Sequence, residues 1–193
     1  MANVAEKFGL KPVRTLDGSD FINAQNRYRI ASSYGTAIFQ GDLVTPVTGG
    51  HIERHTATSS TAVVGVFNGC FYTDPTTSKP TWKNYYPGSI AASDITAFVI
   101  DSPDQVYKID SDGAFAVADI FKNFNVTNVT GNTVTGTSKV QLDYSSSGIT
   151  TTIALQAIDI SQDVGNNEAG AVNVDVLVRI NNHFYKAATA GLA

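Results

Sequence analysis

His51, Glu53 and His55 are the residues of this chain best spaced to hold a metal ion. On a strand, positions two apart project to the same face, and imidazole and carboxylate are donors that zinc accepts. The surroundings argue for another use. Gly49-Gly50 precede the trio and Thr56-Ala57-Thr58 follow it, the setting of an exposed edge strand, where charge discourages pairing with a neighbour. No metal is expected, and the third histidine, His183, stands far off in sequence. Asp110-Ser111-Asp112-Gly113 opens like a calcium loop but lacks a third acidic ligand and a closing Glu, so it reads as a turn. Cys70 lies between Gly69 and Phe71 with no basic neighbour to generate a thiolate. As the only cysteine it cannot form an intrachain disulfide.

Other catalytic patterns are equally missing. The chain has no Gly-x-Ser-x-Gly elbow and no phosphate-cradling Gly-x-x-x-x-Gly-Lys stretch. A hydrolase would need a site that these residues do not assemble, so neither an enzyme nor a cofactor is expected. Asn125-Val126-Thr127 and Asn128-Val129-Thr130 fit the glycosylation sequon. The opening Met1-Ala2-Asn3-Val4-Ala5-Glu6-Lys7 lacks the basic-then-apolar order of a secretory signal, which favours a plain Asn/Thr-rich loop. Trp82, Tyr85 and Tyr86 could form a platform for sugar rings, although core and interface packing is the commoner use of such aromatics.

The elements that would position these residues are strands. Val, Ile and Thr number 54 in 193 residues, against 19 for Leu, Met, Glu and Lys. Branching at Cβ restricts χ1 in a helix and suits a pleated surface. Hydrophobic residues make up 42% and charged residues 16%, so a core is affordable and the surface must be largely Ser, Thr, Asn and Gly. No apolar run reaches the roughly 20 residues of a membrane helix. A net charge of −4 disfavours a dedicated nucleic-acid binder, which needs clustered Lys and Arg.

Residues 1–27 read as an extended N-terminal arm, distinct from a single β domain over 28–193. The first 30 residues carry five basic and three acidic groups, and the apolar Phe8, Leu10, Val13, Leu16, Phe21 and Ile22 are sparse. Two readings stand: a terminus crossing its own domain, or an arm laid along a partner with the apolar residues as anchors. Strands are expected near 28–31, 37–39, 43–45 after a bend at Gly41-Asp42, 52–58 and 62–67, and a hairpin from the apolar run through a loop at 74–80 to a return at 82–86. Further strands fall at 95–100, 105–109, 151–160 and 172–180. Asp110–Gly113 is expected to close a hairpin between 105–109 and 114–117, since Asp-Gly supplies positive φ. The Asn/Thr/Ser/Gly-rich segment 123–147 suits either short twisted strands or a polar flap. The tail 187–193 is small-residue and reads as loose. About nine short strands imply a mainly β, antiparallel barrel or sandwich with little helix.

Several of these segments, in order, resemble a family of capsid decoration or cement proteins of tailed double-stranded DNA phages. They are Tyr28-Arg29-Ile30-Ala31, Ile38-Phe39-Gln40-Gly41-Asp42-Leu43-Val44, Val64 to Thr73, Tyr85-Tyr86-Pro87-Gly88, Phe98-Val99-Ile100-Asp101-Ser102-Pro103 with Val106-Tyr107, Thr135-Gly136-Thr137-Ser138, and Val178 to His183. Ser102 departs from the family pattern, which has an acid before the proline. The resemblance implies a virion structural protein, made in the host cytoplasm and bound to the outer capsid surface, with no catalytic residues. Its partners would be the major capsid protein and itself, as a homo-oligomer such as a trimer, with neither nucleic acid nor membrane. On that reading Phe8, Leu10, Arg14, Phe21, Arg27 and Arg29 are the expected capsid contacts, and deleting residues 1–20 should abolish binding without unfolding the body. The alternative is a carbohydrate-binding or adhesin-like β module that uses Trp82, Tyr85 and Tyr86.

Overall fold

The computed structural model describes residues 3–57 and 59–186. Twelve strands and a single 3-10 turn, Val117–Asp119, are found among them. The first sheet is ordered β1 (Lys11–Thr15), β8 (Gln105–Asp110), β12 (Asp175–Ile180), β11 (Leu155–Ile160), β9 (Asn123–Val126) and β10 (Leu142–Gly148). The second runs β2 (Asn26–Arg29), β7 (Thr96–Ile100), β5 (Gly65–Thr73), β3 (Leu43–Val47) and β4 (His51–Arg54). β6 (Pro80–Lys83) pairs with the far half of β5. Every strand pair is antiparallel, and the two open sheets make a sandwich rather than a closed barrel. No helix among the described residues is long and apolar enough to cross a membrane.

Two apolar clusters hold these layers. The larger lies between the sheets and joins Tyr107, Ile109, Val176 and Val178 of the first to Leu43, Val66 and Ile100 of the second. The smaller lies on the opposite face of the second sheet, where Phe67, Cys70, Tyr72, Ala97 and Val99 meet Ile30, Ile38, Tyr86 and Ile95 from connecting segments. Strand alternation explains the split, because successive side chains of β5 and β7 point to opposite faces. The expected hairpin forms, with Thr73 opposite Pro80, but its return strand is Pro80–Lys83 rather than 82–86, so Tyr85 and Tyr86 lie beyond it.

Three further expectations need correction. Residues 114–117 do not return as a strand beside 105–109, because β1 and β12 already occupy both edges of β8. Gly113 is not among the positive-φ residues; it makes room for Tyr144, since a Cβ there would lie 2.5 Å from the tyrosine Cβ. The strand expected over 172–180 starts only at Asp175, where Asn173, at φ 59°, has turned the chain and left Val172 exposed. Of the two readings of 123–147, strands are found at both ends, β9 and β10, paired with each other. The tail 187–193 lies outside the described residues.

The N-terminal segment is extended and crosses its own body. The Asn166 side-chain amide receives the Val4 N–H on its oxygen (2.7 Å) and donates back to the Val4 carbonyl (2.9 Å), as a paired strand would. The Gly9 N–H donates to the Val140 carbonyl and the Leu10 N–H to the Gly41 carbonyl. β1 then forms the edge of the first sheet, with Arg14 opposite Val106.

Candidate functional site

The inner face of the second sheet is longer than the core that covers it. Val66 on β5 sits opposite Ile100 on β7, and both enter the inter-sheet cluster. Two residues further along β7 on the same face is Phe98, opposite Gly69, and then Thr96, opposite Phe71. An irregularity between Phe67 and Gly69 inserts one residue into β5 and keeps the two halves in phase. Trp82 on β6 is opposite Phe71, while Arg27 and Arg29 on β2 are opposite Phe98 and Thr96. The covered end of the face thus continues into an uncovered strip of Trp82, Phe71 and Phe98 flanked by two arginines.

Gly69 makes the strip possible. A Cβ at that position would fall 2.6 Å from the Trp82 ring, and its backbone stands at φ +137°. The indole therefore rests against bare backbone, with its centroid 5.3 Å from that of Phe98 at 59°, an arrangement aromatic pairs favour. Arg27 places its guanidinium carbon 5.8 Å from the centroid of the same Phe98 ring, within cation–π range. Trp82 remains 53% and Phe71 40% exposed. Where the covered end begins, a small cleft of about 170 Å³ opens between Phe8, Leu10 and Pro12 on one side and Val66, Ile100 and Asn68 on the other. Lys11 also lines it, its Nζ 4.1 Å from the centre of the Phe8 ring.

The expected capsid contacts do not form one surface. Leu10 is buried in the main core, and Phe21 packs against the same core from its edge. Phe8 is half-buried beneath Lys11, and Arg14 turns one guanidinium nitrogen onto its own strand at the Thr15 carbonyl. Only Arg27 and Arg29 reach the strip. The expected sugar platform is also divided. Trp82 is on the strip, Tyr85 stacks on Phe39 with nearly parallel rings 5.4 Å apart, and Tyr86 is fully buried with its hydroxyl donating to the Tyr34 carbonyl. Phe71, Phe98 and Gly69 were not singled out from the sequence, although the alternation of Gly69 and Phe71 with buried Cys70 and Tyr72 marks an outward face.

Elsewhere, Cys70 and His55 lie in the interior. Burial pushes the Cys70 thiol up to about 12, and its Sγ lies 3.5 Å from the Tyr85 carbonyl. His55 is buried, with no hydrogen-bond partner on either ring nitrogen, and desolvation lowers it to about 4. Among the described residues no three His, Cys, Asp or Glu side chains are gathered to hold a metal ion. What the strip offers is stacking area and charge-assisted donors. No protein-family model matches the chain, and neither a curated protein nor a solved structure matches it.

Proposed function

We propose that this chain is a virion structural protein that decorates the outer surface of a phage capsid, bridging shell subunits through the uncovered strip of its second sheet. The observation that carries this reading is the strip itself, where Trp82, Phe71 and Phe98 share one face with Arg27 and Arg29. Trp and Arg are the side chains that most often dominate protein interfaces, and here they border Phe71 and Phe98 on a face that a neighbouring layer covers at its other end. The ordered resemblance to decoration proteins supplies the partner, the major capsid protein, and the location on the particle. The chain's net charge of −4 suits a protein kept away from packaged DNA. Self-association as a homo-oligomer would multiply modest individual contacts over a symmetric shell.

Cosedimentation of the purified full-length chain with undecorated particles tests this. Trp82→Ala and Arg27→Glu should each weaken binding by about tenfold or more, the loss expected of an interface hot spot, while leaving the circular-dichroism spectrum unchanged. Normal binding by both variants removes the strip from the interface. The sugar-binding reading keeps Trp82 alone of its three residues, since Tyr86 is buried and Tyr85 is stacked internally.

A further inference from the structure

The charge around the strip runs against that of the chain. The protein carries net charge −4, yet Arg27 and Arg29 flank the strip, Lys11 stands at the mouth of the cleft, and none of the three forms an ion pair with a described carboxylate. Two acids line neighbouring grooves, Asp94 beside Arg29 and Asp101 beside Arg27, which leaves one cation in excess, and the oxygens of both are engaged by neutral donors. Asp94 accepts from the Thr73 N–H and hydroxyl, which hold its carboxyl below the usual range. Asp101 accepts from the Asn26 amide and the Tyr28 hydroxyl.

Resting on the reading of this strip as the docking surface, we propose that its occupant is an acidic, extended segment of the partner protein. That segment seats one apolar side chain in the cleft beside Phe8 and lays its carboxylates along Arg27 and Arg29. The cleft, at about 170 Å³, takes a single large side chain and is smaller than the roughly 300–1,000 Å³ of sites for drug-sized ligands. From Ile100 at its floor to Thr96 at the far end of the strip is four residues of β7, about 13 Å at the rise of a strand. A short extended segment therefore spans the anchor and both arginines. Phe98, held between Trp82 and Arg27, lies midway. The guanidinium groups can each receive a carboxylate in bidentate fashion, which an ammonium cannot.

Trp82 is the only tryptophan of the chain and lies on the strip, so its emission reports occupancy directly. The full-length protein is titrated with three synthetic peptides: one with aspartates flanking a single phenylalanine, one with lysines in their place, and one acidic with alanine for phenylalanine. The first should shift the emission, with affinity that falls as salt rises. The lysine peptide should leave it unmoved, and the alanine peptide should bind at least about tenfold more weakly. The Arg27→Glu/Arg29→Glu double variant should lose the response, and the Lys variant at both positions should recover only part of it. Equal binding of acidic and basic peptides overturns the proposal, as does a response to neutral oligosaccharides with none to the acidic peptide. If the protein decorates particles while no peptide moves Trp82, the occupant is wrong and the function stands. If the acidic peptide binds while particles stay bare, the occupant stands and the capsid reading falls.

Discussion

At the scale of single residues, Gly69 sets the geometry of the strip. Its missing side chain is where the Trp82 ring lies, and its φ of +137° is one that L side chains rarely adopt. Gly69→Val must displace the indole and strain the backbone, at a cost of about 1–3 kcal/mol. Urea unfolding should show the loss, and Trp82 emission in the native state should move to the red as the ring swings into water. An unchanged emission maximum would mean that the ring does not depend on this contact. Trp82 was legible in the sequence only as one member of a possible sugar platform with Tyr85 and Tyr86. The role of Gly69 was not, because it arises from a one-residue irregularity in β5 that no local pattern announces.

At the scale of elements, β8 and β12 place Asp110 directly opposite Asp175 in a buried pair. Burial pushes the Asp110 carboxyl up to about 6; the Gln141 amide opposes this, the Asp175 charge adds to it, and a backbone hydrogen bond from Glu6 and the Lys7 charge, both in the N-terminal segment, pull it down. Between pH values of about 4 and 6 the folded chain holds a proton here that the unfolded chain has lost. The contribution of this group to stability therefore falls as pH rises through that window and is level above it. His55, lowered to about 4 by desolvation, works in the opposite sense, losing stability as pH falls below its unfolded value of about 6.5. Comparing wild type with Asp110→Asn isolates the first effect. The stability of the variant relative to wild type should climb from about pH 4 to pH 6.5 and then level, read as urea midpoints across the range. Parallel profiles would show that Asp110 ionises freely in the fold. The strands 105–109 and most of 172–180 were legible from alternation, and 95–100 as a buried strand. Their pairing was not: Asp-Gly after 105–109 suggested a hairpin, while the edge it would have used was filled by β1, about a hundred positions earlier in the chain.

For the whole molecule, the N-terminal segment is a structural part of the sandwich. Leu10 is 2% exposed within the main cluster, and β1 covers an edge of β8 that would otherwise present unpaired backbone groups. Deleting residues 1–15 should destabilise the fold by at least the roughly 2–5 kcal/mol of emptying one buried leucine site. A thermal melt followed by circular dichroism measures this, and an unchanged midpoint would show that the segment contributes nothing to the body. This differs from the expectation for deleting residues 1–20, and loss of particle binding by such a truncation would not locate the interface. Point variants on the exposed strip avoid that ambiguity because they leave both cores filled.

The β class follows from the residues read singly: β-branched residues in abundance, alternation with period two, and turn chemistry between short runs are local properties that each stretch of chain carries alone. The sequence also marked the β5–β6 hairpin, whose two strands are separated only by a short loop. Which edges pair, which end of the second sheet stays uncovered, and that Phe98 meets both Arg27 and Trp82 there emerge only in the folded chain. The reason is physical. Every strand edge offers nearly the same backbone donors and acceptors, so the choice of partner rests on how distant side chains fill shared volume, and that is a property of the folded chain as a whole.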